Sequence, residues 1–459
     1  NMKKRTVSFH PEVDRDEEKK MGSNTLRSDS VHPMIYCIFV SLLLDLCAFT
    51  LILPLLPSIL DHYQSKESKM LHCLQTTVDS FQKSWGIPKS FNNVLLGGII
   101  GSMFSFLQFL ASPIIGALSD VHGRKPILVL TLVGSLFSYC TWAVSHNFEI
   151  FLVSRILGGI SKGNISICTA IVSDTSSNET RGKGMALVGI AFSIGFIIGP
   201  MLGAILSSNL GSATPFPAIC AIFLISVNLL YITLAFKETL PKNVRAKSTF
   251  SRLSQVTSYI NPLILFSFSP VRNIEISELR RLQGMGTVYF FYLLFYSGLE
   301  FTLTFLTHLR FQFTSMQQGK MFLFVGTIMI MVQGGITRRV KCGQERNVIL
   351  TGLLLVMPAF MIIGYSSTLS TLYLGLFLYS ITSATVVPCI TTVVSRQGGS
   401  DQKGVIMGVF RSLGALARAI GPILLSIGYW YLGPHVCYLL GGMMFLLPYY
   451  IMRMFKSLQ

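Results

Sequence analysis

The sequence predicts an all-α membrane protein with twelve transmembrane helices in two pseudo-symmetric six-helix bundles. Three observations predict this fold. Of the 459 residues, 51% are hydrophobic and only 12% are charged, whereas about 25% of the residues in a soluble domain are charged. The apolar residues form blocks of about 20, the length that a helix needs to cross a bilayer. The third observation is an internal repeat, in which matched positions lie 222 residues apart.

The twelve predicted spans are separated by polar loops and are named span 1 to span 12 in chain order. Each is predicted to be a helix, because open strands leave backbone polar groups without partners in lipid. The predicted ranges are 34–57, 94–118, 127–145, 148–172, 184–206, 217–236, 285–306, 318–336, 348–366, 371–394, 404–425 and 436–452.

A polar stretch divides the spans into two sets of six. We predict an N-terminal six-helix bundle over 34–236, a cytosolic linker over 237–284 and a C-terminal six-helix bundle over 285–452. Residues 1–33 are polar and mixed in charge, which predicts a disordered cytosolic tail with no cleavable signal peptide. Residues 453–459 are predicted to form a second short cytosolic tail.

The repeat is clearest around spans 5 and 11. A basic-Gly segment precedes a Gly-Pro pair in both spans, and two halves related by duplication are typical of secondary transporters with a midplane site. The matched segments are Arg181-Gly-Lys-Gly-Met185 with Gly199-Pro200, and Lys403-Gly-Val-Ile-Met407 with Gly421-Pro422.

The distribution of basic residues predicts the orientation of the chain. Most of the 37 Lys and Arg residues lie in cytosolic segments if both termini are cytosolic. The formal net charge of +17 is mainly this orientation signal, and it forms no continuous basic face for nucleic acid. We expect a monomer in an internal membrane (vesicle, endolysosomal or nuclear) or in the plasma membrane.

Several classes of protein are excluded by the absence of their motifs. The sequence has no G-xxxx-GK-[ST] phosphate loop, so ATP is not the expected direct energy source. It has no hydrolase, metalloprotease or dinucleotide motif in a suitable context, so we do not expect an enzyme. The nine cysteines are scattered singly, which predicts no metal, cofactor or disulfide framework.

The loop between spans 2 and 3 carries a motif that predicts a gate. It reads Gly116-Ala-Leu-Ser-Asp120-Val-His-Gly123-Arg124-Lys125-Pro126. We predict that Gly116 and Gly123 allow a tight reversal of the chain. Asp120 is predicted to meet a neighbouring helix end or an arginine, while Arg124 and Lys125 hold the loop at the cytosolic face.

This motif resembles the signature between spans 2 and 3 of the major facilitator superfamily, with Val121 where the family has a basic residue. Three further features resemble the same family, and together the resemblance covers nearly all of residues 34–452. They are Arg155-Ile-Leu-Gly158-Gly159 in span 4, Gly195-xxx-Gly199-Pro200-xx-Gly203 in span 5, and Asp45 followed by Pro54 and Pro57 in span 1.

The Gly-Pro motif of span 5 is associated in that family with antiporters. We predict that its glycines allow helix backbones to approach closely. Pro200, and Pro422 beside Gly421 in span 11, are predicted to bend their helices at the joints of a gate.

Within the superfamily, the sequence resembles the tetracycline transporter-like branch and the drug:proton antiporters. The strings that carry this resemblance are Leu157-Gly-Gly-Ile-Ser-Lys-Gly-Asn164, Phe305-Leu-Thr-His308, Gln317-Gln-Gly-Lys-Met321 and Arg411-Ser-Leu-Gly-Ala-Leu-Ala-Arg418. The resemblance implies an efflux carrier for organic anions or drugs on an internal membrane.

Six ionisable residues fall inside predicted spans. A charged side chain at a helix centre costs about 2.5–3.5 kcal/mol on insertion scales, so we expect each to face the bundle interior with a partner. Four cations and two carboxylates would then line one cavity, and the surplus of cations favours an anionic substrate. The six are Asp45, Arg155, Lys162, Glu300, Arg411 and Arg418.

We predict proton coupling at Asp45, Glu300 and Arg155. Lys162, Arg418 and Arg411 are predicted to bind substrate, since a lone midspan cation needs a counter-charge. Alternatives remain open for three of them. Asp45 is alternatively a structural ion-pair partner of Arg155. Glu300 lies in no motif, so it is alternatively a residue with no role in proton coupling. Arg411 is alternatively a residue that extends its charge to the membrane interface.

The aromatic side chains clustered in span 7 are predicted to pack against neighbouring helices and not to line a binding site. They are Phe290, Phe291, Tyr292, Phe295 and Tyr296.

The predicted function is proton-coupled antiport of organic anions or drugs by alternating access. Two other classes stay open on the sequence: a facilitator without proton coupling, and a non-transporting sensor or scaffold built on a carrier fold.

Overall fold

The structure is a computed structural model. It describes residues 32–64, 76, 79–80, 84, 86, 88–176, 181–210, 215–243, 245, 260–271, 274–340, 343–397 and 403–455. Most of the predicted tails and part of the linker lie outside these ranges. The described residues contain helices and connecting segments and no strand, which confirms the all-α prediction.

The first six spans are helical throughout the described residues, and two of them are interrupted. Span 1 passes through a 3-10 turn that contains Pro54, where proline removes a helical donor. The helices are Pro33–Thr50, Leu53–Leu55 and Leu56–Gln64 (span 1), Asn92–His122 (span 2), Arg124–Ala143 (span 3), Phe148–Ser161 and Asn164–Thr175 (span 4), Arg181–Leu210 (span 5) and Phe216–Ala235 (span 6).

The second six spans follow a short helix at Pro262–Ser267. Spans 11 and 12 form one helical stretch that breaks at Gly433, whose φ of 76° is disfavoured for residues with a side chain. The helices are Ile276–Phe311 (span 7), Ser315–Gly335 (span 8), Glu345–Tyr365 (span 9), Leu369–Ser395 (span 10), and Lys403–Met444 with Leu446–Met454 (spans 11 and 12).

Ten helices among the described residues are long and apolar enough to cross a membrane. The tenth, Ile406–Met454, contains both span 11 and span 12. Span 8, Ser315–Gly335, is present as a further helix. The twelve predicted spans are therefore all helical, although span 7 begins nine residues before its predicted start.

The reversal between spans 2 and 3 corrects one sequence prediction. Gly123 has a φ of 104° and forms the turn alone, because a side chain is strained at this angle. Gly116 lies inside the helix Asn92–His122 and takes no part in the turn.

The two six-helix halves contact each other along a seam. We call the side where span 1 begins at Pro33 the terminal side, and the opposite side, where span 2 begins at Asn92, the far side. At the far side the Trp430 indole N–H donates to Asn92 Oδ1 (2.9 Å). Deeper in the seam, the Ile423 N–H donates to Ser102 Oγ (2.8 Å).

The terminal side of the seam is more open. A methyl group added to Gly116, Gly335 or Gly408, on spans 2, 8 and 11, would meet no other atom of the described residues within 4 Å. On the far side, a methyl group on Gly319 of span 8 would overlap Ala204 of span 5. Among the described residues, the halves therefore pack more closely at the far side than at the terminal side.

Candidate transport site and gating motif

Asp45 and Lys162 form a buried ion pair between spans 1 and 4. Lys162 Nζ lies 2.7 Å from Asp45 Oδ2, and Lys162 and Asp45 are 3% and 0% exposed. Asn164 Nδ2 donates to the same carboxylate oxygen (2.8 Å). Asp45 Oδ1 is buried and has no hydrogen-bond partner among the described residues. Oδ2 of the Asp45 carboxylate thus accepts two hydrogen bonds, whereas Oδ1 accepts none among the described residues.

A break in span 4 presents Lys162 and Asn164 to span 1. The first helix of the span ends at Ser161 and the second begins at Asn164. The carbonyl of Lys162, which the break leaves without a helical donor, accepts from Gln108 Nε2 (3.3 Å). Interrupted membrane helices are typical of transporter binding sites, because they release backbone and side-chain groups at the midplane.

Arg155 does not pair with Asp45. The alternative that Asp45 is a structural ion-pair partner of Arg155 is therefore wrong. The Arg155 guanidinium carbon lies 5.2 Å from the ring centre of Trp142 and 5.4 Å from that of Phe151. These are cation–π distances. Its Nη2 is buried without a hydrogen-bond partner among the described residues. Arg155 is therefore a cation held by aromatic rings, with donor capacity to spare.

A small cavity joins Arg155 to Lys162. Both line it, and Lys162 Nζ lies 4.9 Å above the ring of Phe49. The other lining residues are Phe104, Ser135, Ser138, Tyr139 and Gly158. Since Lys162 has a carboxylate partner, the argument that it is a lone cation in need of a substrate counter-charge is wrong for this conformation.

Glu300 lies in a hydroxyl-rich environment in the second half. The Tyr379 hydroxyl donates to Glu300 Oε1 (2.5 Å), and the ring of Tyr296 stacks on that of Tyr379 (5.3 Å, 6° between planes). The Tyr296 hydroxyl is hydrogen-bonded to Ser383 Oγ. Tyr296 therefore makes a hydrogen bond as well as the packing contacts predicted for it. Tyr379, which no sequence motif marked, is the direct hydrogen-bond partner of the Glu300 carboxylate.

Arg411 and Arg418 have no hydrogen-bond or ion-pair partner in the described part of the chain. Arg411 is half-buried and Arg418 is exposed. Arg418 lies within electrostatic range of both Glu300 and Arg411. Pro422 has no N–H to give to the Arg418 carbonyl four residues earlier. The second half thus offers two cations where the first half offers a closed pair.

The loop motif forms a network centred on Arg124. Its Nη1 lies 2.6 Å from Asp120 Oδ1, as predicted for an arginine partner, and its Nε lies 2.8 Å from Asp174 Oδ2 at the end of span 4. Glu238 accepts from the backbone N–H groups of Arg124 (2.9 Å) and Lys125 (3.1 Å). Asp174 and Glu238 lie about 50 or more residues beyond the motif, and for this reason the sequence did not point to them.

The side chain of Lys125 extends along span 6. Its Nζ donates to the Thr233 carbonyl (2.8 Å). The motif thus ties the ends of spans 2, 3, 4 and 6 together at the terminal side.

The glycines of span 5 lie against span 1, which confirms their close approach. A methyl group would overlap Leu46 at Gly195, Thr50 at Gly199, and the Leu51 carbonyl at Gly203. The Thr50 hydroxyl donates to the Gly195 carbonyl (2.9 Å).

The same packing recurs between spans 7 and 11. A methyl group on Gly421, which lies 222 residues after Gly199, would overlap Ser297 Oγ and the Leu294 carbonyl. The matched pair shows that both halves use one packing device. The predicted bends at Pro200 and Pro422 stay predictions.

Comparison with known proteins identifies the family. The family model described as Major Facilitator Superfamily matches residues 38–422. This chain belongs to the major facilitator superfamily. It is accordingly a multi-pass membrane protein of the transporter type, and its twelve helices form the two-bundle fold of that superfamily.

Two groups of curated major facilitator relatives cover most of the chain. "Major facilitator superfamily domain-containing protein 10" is 46% identical in Homo sapiens over 429 residues, 92% of each chain, and 45% identical in Mus musculus over 436 residues, 94% of each chain. "Tetracycline resistance protein, class B" of Escherichia coli is 25% identical over 84% of this chain and 86% of the relative.

Solved major facilitator structures agree with this assignment. The crystal structure of the human organic anion transporter MFSD10 (TETRAN) is 44% identical, covers 92% of this chain and 100% of that chain, and has a TM-score of 0.78. The crystal structure of a mutant of the nucleoside transporter NupG, 14% identical, has a TM-score of 0.63 over 92% of this chain and 100% of its own, which supports the fold alone.

Proposed function

We propose that this protein is a proton-coupled secondary transporter for organic anions, including anionic drugs, that works by alternating access. The observation that carries the proposal is the fully buried ion pair of Asp45 and Lys162 at the break in span 4. Burying two charges costs several kcal/mol per ion, so a purely structural pair would gain little over two apolar side chains. A pair that opens during transport explains why the charges are kept there.

Protonation of Asp45 is the coupling step. Its Oδ1 has no donor among the described residues and is the natural proton acceptor. A neutral Asp45 loses most of its attraction for Lys162, which is then available to a substrate carboxylate. Arg155 lines the same cavity and keeps the local potential positive.

The charges of the Asp45–Lys162 pair affect whether the proton and the anion move in the same direction or in opposite directions. A proton on Asp45 and an anion on Lys162 both favour the open pair, so each strengthens the binding of the other. This pair therefore supports movement of the proton and the anion in the same direction. The antiport and efflux predicted from the sequence are expected where the solute competes with the proton for Asp45, as a cationic drug would.

The second half supplies the remaining substrate contacts. Arg411 and Arg418 have donors free for a carboxylate among the described residues, and two cations on one helix suit an anion better than a neutral solute. Glu300, hydrogen-bonded to Tyr379, is a second candidate protonation site within electrostatic range of Arg418. The relative described as a human organic anion transporter supports the same substrate class.

Alternating access follows from the packing of the halves. With both termini in the cytosol, the open terminal side faces the cytosol and the far side is the closed gate. We propose 34–236 and 285–452 as the two rocking bodies and 237–284 as their linker. The Arg124 network would hold the first body together while its contacts with the second change.

The test is transport by purified protein in liposomes, with a panel of aromatic and aliphatic carboxylates and an imposed pH gradient. A pH dye inside the vesicles reports proton movement. We expect external acid to drive anion uptake together with protons. In Asp45→Asn, anion exchange should persist while the pH gradient loses its effect. Glu275→Gln, an exposed carboxylate at the start of span 7, is the matched control.

Other outcomes would each point elsewhere. Wild-type uptake indifferent to the gradient means an uncoupled facilitator. Uptake driven by internal acid means antiport, and saturable binding without flux in every gradient means a sensor or scaffold.

A further inference from the structure

A second pocket lies on the far side, away from the central charges. Its volume is about 360 Å³, within the range of small-ligand sites. It is lined by Phe91, Leu309, Arg310, Gln312, Tyr429, Pro434 and His435. Tyr429 lies eleven residues after Arg418 on span 11, which is about 16 Å along a helix. No carboxylate is among the lining residues.

Arg310 presents part of its guanidinium without a partner. Its Nη1 donates to the carbonyls of Gly364 (2.7 Å) and Ser366 (3.0 Å), which fix the plane of the group. Its Nη2 lies 3.5 Å from His435 Nε2. The Nε–H and one Nη2–H have no partner among the described residues. These two donors form the edge of a guanidinium that binds a carboxylate with two parallel hydrogen bonds.

Two residues with positive φ lie beside this cation. Gln312, which lines the pocket, has a φ of 53°, one of two non-glycine residues with positive φ among the described residues. The break at Gly433 (φ 76°) places Pro434 and His435 in the pocket wall. The left-handed conformation of the non-glycine residue Gln312 costs about 1–3 kcal/mol, and such conformations concentrate at ligand sites. Gly433 has no side chain and bears no such cost.

Both halves contribute to the wall. Phe91 precedes span 2 in the first half, and its ring packs edge-on against Tyr429 of the second half (5.4 Å). The remaining lining residues belong to spans 7, 11 and 12 and the turns that follow them. The pocket is complete only while the far side is closed.

We propose that this far-side pocket binds a small organic carboxylate with an aromatic or apolar body, at a site separate from the central transport site. The carboxylate bonds to Arg310 and His435, and the body packs against the Phe91–Tyr429 ring pair. Because the ligand contacts both halves, it favours the far-closed conformation and slows the cycle. The proposal does not rest on proton coupling or on the role of Lys162.

The test is calorimetric titration of 2-naphthoate into the full chain in nanodiscs, with empty nanodiscs to correct for partition and neutral 2-naphthamide as the uncharged ligand. Arg310→Gln should weaken one saturable site about tenfold or more, because it removes the charge-assisted pair. Leu309→Trp should fill the pocket and abolish that site without touching Arg310. Lys320→Gln, an exposed cation at the far end of span 8, is the matched control.

Arg418→Gln separates this site from the central one. The proposal holds if a naphthoate site survives Arg418→Gln and is lost in both Arg310→Gln and Leu309→Trp. It fails if no saturable binding occurs, if 2-naphthamide binds equally well, or if binding is lost only in Arg418→Gln. If only one naphthoate site is found, and it is lost in Arg310→Gln and Leu309→Trp but kept in Arg418→Gln, the far-side pocket is supported and the central anion site is not.

Discussion

The two halves of this protein share a frame and differ in how they treat charge. Gly199 against span 1 and Gly421 against span 7 are the same packing contact 222 residues apart. Yet the first half holds the buried Asp45–Lys162 ion pair, whereas Arg418 of the second half has no ion-pair partner among the described residues. The two halves thus share a helix-packing contact and differ in the arrangement of their charged side chains.

Under the proposed function, this difference assigns the proton response to the first half and anion binding to the second half. A closed pair resists solvent and responds to a proton, because neutralising one member releases the other. Unpaired arginines respond to an anion. Coupling then needs no contact between proton and substrate, provided that both change the stability of the same conformation.

Breaking the pair on one side should have the largest effect. Lys162→Met leaves the Asp45 carboxylate buried without a cation, and removing one partner of a buried pair costs about 3–5 kcal/mol. We expect a large fall in the thermal unfolding temperature in detergent at neutral pH. The double variant Asp45→Leu with Lys162→Met removes both charges and should recover most of the loss.

The recovery is what distinguishes a pair from a lone cation. Lys320→Met, on the exposed far end of span 8, should leave the unfolding temperature unchanged. If the double variant were as unstable as Lys162→Met, Asp45 and Lys162 would be acting independently, and the contrast between the halves would lose its basis.

Matched glycine substitutions test the shared frame. Gly199→Ala forces a methyl group onto Thr50, and Gly421→Ala forces one onto Ser297 and a backbone carbonyl. Overpacking of this kind costs about 1–3 kcal/mol. We expect similar losses of unfolding free energy in the two halves and a fall in transport rate, with Gly116→Ala, which meets open space, as the control. A loss confined to one half would show that the repeat is not equivalent in packing.

The fold could be read from the sequence, because hydrophobic length and the 222-residue repeat are properties of contiguous residues. The six charged positions could also be identified from the sequence, because placing a charged side chain in lipid costs free energy. The sequence did not show which of them form an ion pair. The partner of Asp45 depends on a break at Lys162-Gly163. Gly163 and Asn164 are compatible with a helix end, but a membrane helix also tolerates glycine, so the sequence does not fix where this helix stops.

Partners far along the chain were hidden for a different reason. Tyr379 reaches Glu300 from span 10. Asp174 reaches Arg124 from span 4, and Glu238 reaches it from the segment after span 6. Tyrosines and carboxylates are common, so only the packing of helices distant in sequence selects these. The far-side pocket depends in the same way on Phe91 and Tyr429, which belong to opposite halves.

A smaller and more selective effect is expected at Arg418. Arg418→Gln removes an unpaired cation, so the fold loses no ion pair and unfolding should be nearly unchanged. A lost charge-assisted hydrogen bond to substrate weakens binding about tenfold, equivalent to about 1.4 kcal/mol. We expect the KM for anion uptake in liposomes to rise by that factor while kcat stays near wild type. Arg418→Lys keeps the charge and should lie between the two, and a fall in kcat with unchanged KM would instead assign Arg418 to the conformational step.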